Sequence, residues 1–207
     1  MADAADFFPE RESLKALREA AAGCRGCELY EDATQTVFGE GRKASRVMLV
    51  GETPGDREDL AGHPFVGPAG RELDKALERV GIDRADAYVT NAVKHFRFEE
   101  RGKRRIHQRP DARHINACRP WLEAELRQVR PEALIVLGAV AAKSLLGNAF
   151  RVTQQRGELL DSDLAAIVVA TIHPSAILRE RDDAGRIRQR EAFTDDLQVA
   201  VAAMRAR

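Results

Sequence analysis

Little in this sequence would let a disulfide-stapled or membrane-spanning protein form. Three cysteines among 207 residues are too few for a disulfide framework. No apolar run approaches the length of a membrane span, and the opening MADAADFFPERES is acidic and lacks the apolar core of a secretion signal. A cytoplasmic location away from membranes is therefore the expectation. An excess of one charge is missing too. Lys plus Arg and Asp plus Glu both number 33, so a nucleic-acid face would have to be a local patch. Internal repeats and low-complexity linkers are absent, and the length suits one globular domain over 1–207.

What is present is organised around residues 46–77, RVMLVGETPGDREDLAGHPFVGPAGRELDKAL. Residues 47–50 are a short apolar run bounded by glycine, the pattern of a buried strand. Gly51-Glu52-Thr53-Pro54-Gly55 then forces a sharp turn. A second loop from Gly62 to Gly70 leads into a helix whose Leu73 and Leu77 share one face. Ligands of open α/β sheets bind beyond the carboxyl ends of the strands. The pattern puts a carboxylate, Glu52, and an aromatic, Phe65, at that place in a glycine-rich frame.

Periodicity predicts further helices over 13–22, 113–129, 139–146 and 188–204, and strands over 88–93, 133–137 and 167–172. Residues 97–113 read as a long polar surface loop, and 151–160 as including an edge strand. Gly138 is expected to let its helix start close to the sheet. Alternating strands and helices give an α/β fold, a single-domain three-layer sandwich around a central, mostly parallel sheet.

Cys24-Arg25-Gly26-Cys27 spaces two thiols to grip one metal centre, and Cys118 adds a third. On these residues alone a Cys3His zinc site is favoured over an iron–sulfur centre, and a dithiol redox pair lacks its βαβ setting. From 94 to 113 eight Lys and Arg stand against three acids, centred on Lys103-Arg104-Arg105. By composition such a run is a solvated face, with phosphate contact as the alternative. Taken singly, Phe65, Asn91 and His173 read first as core, turn and structural residues, with a pocket role second.

In combination the motifs say more. GETPG at 51–55, FVGPAG at 65–70, TNAVK at 90–94, KRRIH at 103–107 and HPS at 173–175, in this order, resemble the uracil-DNA glycosylase superfamily. The similarity is to its iron–sulfur family 4 and UdgX-type members, and runs from about Cys24 to the C-terminal helix. It implies an enzyme that flips uracil out of DNA and excises it. Gly51, Thr53, Gly55, Phe65, Asn91 and Ser175 would surround the base, Phe65 stacking on it and Asn91 reading its imide edge. His173 would donate to a uracil carbonyl as the glycosidic bond breaks. Lys103, Arg104, Arg105 and Arg179 would face the DNA backbone.

The resemblance also implies a [4Fe–4S] cluster on Cys24, Cys27, His95 and Cys118, with a structural role of pinning the basic loop. The KRRIH segment implies the UdgX-type outcome, in which His107, with Glu52 as its partner, captures the sugar C1′ covalently and the protein does not turn over. One departure is Thr53, where the UdgX-type pattern has Gln. The expected partner is uracil-containing DNA, single strands favoured, bound by a monomer. Three rivals stand: a turning-over family 4 hydrolase, a non-catalytic binder of damaged DNA, and an iron–sulfur redox protein on a flavodoxin-like sheet.

Overall fold

The computed structural model of the chain describes residues 3–207. In chain order, α1 (Leu14–Ala21) precedes β1 (Val47–Gly51), α2 (Asp56–Ala61), α3 (Pro68–Val80) and β2 (Ala87–Asn91). A pair of short strands, β3 (Phe98–Arg101) and β4 (Arg104–His107), leads to α4 (Ala112–Val129). Then come β5 (Ala133–Leu137), α5 (Gly138–Leu146), α6 (Val152–Gln155), β6 (Ile167–Thr171), α7 (Ser175–Leu178) and α8 (Asp183–Arg205). No helix among the described residues is long and apolar enough to cross a membrane.

The helices start where local chemistry tells them to. Side chains of Ser13, Asp111 and Asp182 accept backbone N–H bonds at the starts of α1, α4 and α8. Pro68 opens α3, where its missing N–H costs nothing, and Gly81 closes it with φ 79°.

β2, β1, β5 and β6 form one four-stranded parallel sheet in that order. All four strands are buried throughout, as expected when helices cover both faces. Alternation divides their side chains between two cores. Leu49, Val89, Ile135 and Val169 pack with Leu73, Leu77, Phe193 and Leu197 from α3 and α8. Met48, Tyr88, Leu134 and Val168 face the other way, against Leu122 and Leu126 of α4 and Ala141 and Ala142 of α5. The result is the expected three-layer α/β sandwich. Strand order reverses between β1 and β5, and in such sheets ligands collect beyond the strand ends at that reversal.

Two expectations need correcting. Residues 97–113 are not an irregular loop. β3 and β4 pair antiparallel from Phe98↔His107 to Arg101↔Arg104, turning on Gly102 with φ 62°. Charged residues on nearly every position hid the alternation. Residues 151–160 hold no edge strand either. They form the short helix α6 and a single bridge, Leu159↔Val169, with Val152 buried as the anchor.

Gly138 has φ 89°, and a Cβ there would lie 2.8 Å from Cβ of His173. Its role is close approach to the chain after β6, more than to the sheet itself. Gly138→Ala is expected to cost at least the ~1–2 kcal/mol of a left-handed non-glycine residue. Urea unfolding at an unchanged m-value checks it. Parental stability in that variant would mean that the contact with His173 is easily relieved.

Candidate functional site

Beyond β1, β2 and β6 the chain leaves a small crowded space. A Cβ on Gly51 would stand 2.4 Å from Asn91 Oδ1 and 2.5 Å from the Phe65 ring, so only glycine admits both. Asn91 Oδ1 is buried with no hydrogen-bond partner among the described residues. Leaving such an oxygen unpaired costs ~1–3 kcal/mol, which a ligand donor would recover. Phe65 is buried yet sits at φ 57°, a conformation unfavourable for an aromatic residue. Gly70 tolerates it, because a Cβ there would meet the Phe65 carbonyl at 1.7 Å. The ring faces His173 at 5.8 Å between centroids. Gly51, Phe65, Asn91 and His173 thus converge, although they come from four separate segments.

The loops around this space are stitched by a residue that sequence reasoning passed over. Glu58, buried on α2, accepts from Gly67 N–H at 2.6 Å and from Gly55 N–H at 3.2 Å. Its signal was available, since glutamate three residues after a helix's capping position commonly reaches back to that residue's N–H. Thr53 is also structural as it stands. Its hydroxyl donates to the His95 carbonyl at 2.7 Å, tying the first glycine loop to the segment after β2.

The bonds around His173 define its tautomer. Nδ1 accepts from Ser175 N–H at 3.2 Å, so it carries no proton and Nε2 must. Arg179 Nη1 donates to Ser175 Oγ at 3.1 Å, leaving the hydroxyl proton for Nδ1 at 2.8 Å. Burial first, then the charges of Arg179 and His107, lowers the His173 pKa to about 4. It is a neutral N–H donor at the base of the pocket.

Glu52 follows Gly51 directly at the end of β1. Burial pushes its carboxyl above the usual range, while Arg109 at 4.0 Å and Arg179 pull it back. His107 ends β4 on the hairpin, exposed on one side, with its ring 6.0 Å from Phe96. Desolvation and then Arg179 push His107 below the ordinary imidazole range, with Glu58 opposing. No hydrogen bond joins it to Glu52, so the expected imidazole–carboxylate pair is not formed in this state; Arg109 is the cation beside Glu52.

The basic segment divides into two kinds of residue. Lys103 and Arg104 are exposed at the hairpin turn. Arg105, expected beside them on the DNA backbone, is committed inward. It bonds Asp56 Oδ1 at 2.6 Å and Asp59 Oδ2 at 2.7 Å and lies over the rings of Phe96 and Phe98. It fastens the hairpin, and with it His107, to α2. Arg179 remains exposed at the rim.

The three cysteines gather in one cluster with Trp121, Ala4 and Phe38. Trp121 Nε1 donates to Cys24 Sγ and Lys94 N–H to Cys118 Sγ, each at 3.3 Å. Burial pushes the Cys118 thiol up to about 12; Lys94 opposes, and Cys27 and Cys24 add to the rise. Such thiols would have to lose their protons to a metal. The sulfurs and their N–H partners suit thiolate ligation, but His95 does not join them as expected. Its Nε2 bonds Thr36 Oγ1 at 2.8 Å. Among the described residues no group of three or more His, Cys, Asp or Glu is arranged to hold a metal ion. His114, which the motifs did not flag, is buried between Asp111 and Glu28 and ties α4 to the Cys24–Cys27 segment.

Comparison with known proteins agrees with this geometry. The family model described as the uracil DNA glycosylase superfamily matches residues 38–198. The chain is 35% identical over 174 residues to a type-4 uracil-DNA glycosylase of Pyrobaculum aerophilum, covering 81% of this chain and 85% of the relative. It is 33% identical over 178 residues to the type-4 uracil-DNA glycosylase of Thermotoga maritima, covering 86% and 89%. That of Sulfurisphaera tokodaii is 33% identical over 175 residues, covering 81% and 76%. The match spans all four strands of the central sheet and every residue of the crowded space at their ends, and on it the chain belongs to the uracil DNA glycosylase superfamily.

Proposed function

We propose that this protein excises uracil from DNA and, like a type-4 enzyme, releases the product by hydrolysis. The observation that carries the reading is the unpartnered, buried Asn91 Oδ1 beside Phe65 and the neutral His173. Uracil presents an imide N–H to that oxygen, where cytosine N3 presents only a lone pair. Phe65 supplies the stacking face. As the C1′–N1 bond breaks, its electron pair leaves with uracil, and His173 Nε2–H stabilises the negative charge on the neighbouring carbonyl oxygen. The sugar left behind is electron-poor at C1′. Glu52 steadies it and accepts the proton of the water that attacks. Lys103, Arg104 and Arg179, exposed at the rim, contact phosphates. Single-stranded DNA is the proposed preferred substrate, since no pair must be opened.

A second reading has its own support. His107 stands on a hairpin anchored by Arg105, near enough to His173 to depress its protonation. In the UdgX-type outcome a ring nitrogen of His107 bonds C1′ in place of water, and the other ring nitrogen gives up its proton. Both fates are read from one experiment on a uracil-containing single-stranded oligonucleotide. Hydrolysis yields alkali-labile sites in excess over protein and no band that survives boiling in detergent. Capture yields a boiling-resistant band, limited to one per protein and absent from His107→Ala. If neither product forms, the excision reading fails.

The pH profile tests the role of Glu52. Its carboxyl titrates above the usual range, whereas His173 protonates only near 4. Activity is present while Glu52 is ionised and is lost as pH falls through its raised pKa, before His173 gains a proton. Glu52→Gln is expected to be ~10²-fold slower or more and to lose that acid limb. An unchanged acid limb in the variant would assign the titration elsewhere.

For the thiol cluster, we propose that Cys24, Cys27 and Cys118 hold the [4Fe–4S] centre that the family resemblance implies, with His95 completing it by turning away from Thr36. Bound there, such a centre supplies structural cross-linking of the N-terminal segment to α4. Iron and acid-labile sulfide near four each per chain in anaerobically purified protein are expected. Stoichiometric zinc without sulfide would replace the cluster by a zinc site.

A further inference from the structure

The most fully satisfied buried charges in the molecule take no part in the chemistry above. Lys94 and Glu125 are both 0% exposed and pair at 2.5 Å. The Lys94 ammonium spends its other two protons on Thr90 Oγ1 and on the Asn91 carbonyl, each at 2.7 Å. Glu125 accepts from Tyr88 Oη at 2.9 Å, from Thr90 Oγ1 at 3.0 Å and from Gly39 N–H at 3.0 Å. A buried ion pair of this kind rarely adds stability over an apolar pair of similar volume, so stability alone does not explain it.

Its geometry points to another use. The peptide joining Asn91 to Ala92 is held on both edges. Its N–H donates to the Gly51 carbonyl at 2.9 Å, and its carbonyl accepts from Lys94 Nζ. With that plane clamped, the ψ angle of Asn91 and the direction of its Cα–Cβ bond are set, which fixes where its side chain starts. Gly51, which takes the N–H bond, is also the residue whose missing Cβ leaves room for Asn91 Oδ1. We propose that Lys94, neutralised by Glu125, is a positioning residue that aims the Asn91 carboxamide at the base. The step to base selection rests on the excision reading; the clamp itself does not.

The test replaces the pair by apolar residues of like size, Lys94→Met with Glu125→Leu, in the full chain. Thermal stability is expected to fall, since Tyr88 Oη, Thr90 Oγ1, the Gly39 N–H and the Asn91 carbonyl lose their buried partners, so every readout is taken well below the Tm of the variant. Turnover of uracil oligonucleotide should fall ~10- to 100-fold, the scale of a small misplacement of a contacting group, with KM little changed. The preference for uracil over cytosine should narrow with it. The Asn91 side-chain amide resonances, assigned by their loss in Asn91→Asp, are followed alongside. One well-dispersed pair in the parent should become averaged in the variant. Should the double replacement not fold, Glu125→Gln carries the same readouts, because it keeps the shape and drops the neutralising charge. A folded variant with parental turnover, selectivity and Asn91 resonances overturns the proposal. Altered resonances in a protein that never excises uracil would uphold the clamp and overturn the excision reading instead.

Discussion

The site depends on a space the size of one methyl group. At Gly51 the end of β1, the Phe65 ring and the Asn91 carboxamide meet so closely that any side chain would collide with both. Every other feature of the loops serves that approach. Phe65 takes a backbone conformation that aromatics avoid, and Gly70 gives up its side chain to let it. Glu58 bonds one N–H from each glycine loop, so the two cannot separate. Strain of this kind persists only where the surroundings over-determine it. Here Gly51 of β1, Asn91 of β2, Glu58 of α2 and Gly70 of α3 do so.

Electrostatics then sorts the groups around the space into distinct roles. Burial works on a carboxyl and an imidazole in opposite directions, because it opposes charge on either. It raises Glu52 and lowers His173, bringing both towards their neutral forms. Arg179 separates them. It pulls Glu52 back towards its anion, pushes His173 further from its cation, and through Ser175 fixes the imidazole proton on Nε2. One exposed arginine thus favours the anion of Glu52 and the uncharged form of His173 together.

The sheet was legible from the sequence because its strands are short and largely apolar, as burial on both faces demands, with glycine marking the ends of β1 and β5. The convergence of Gly51, Phe65, Asn91 and His173 was legible only through the order of motifs, since no local rule brings the ends of β1, β2 and β6 together. The hairpin was hidden because its alternation is carried by charged residues; Arg105 packs inward on aromatic rings while Lys103 and Arg104 face out. Composition treats these three as one basic run. Only the acids of α2, some 46 to 49 residues away in sequence, distinguish Arg105 from its neighbours. The Thr36 bond of His95 was hidden for a similar reason. The position of His95 in the motif matched a ligand, but Thr36 from a distant loop takes its Nε2.

The segment from Asn91 to His95 belongs to two neighbourhoods at once. Its first residue borders the crowded space at Gly51 and Phe65, and the N–H of Lys94 donates to Cys118 in the thiol cluster. The Lys94 side chain returns to the Asn91 carbonyl, and the His95 carbonyl receives Thr53 from the first glycine loop. Five consecutive buried residues therefore connect the cysteines to that space through their backbone and the side chains bonded to it. Backbone positions in a packed core shift together or not at all. A constraint at the cysteines thereby reaches Asn91 and the space beside it without any charge or electron passing between them, so a metal centre held there would bear on that space through packing alone.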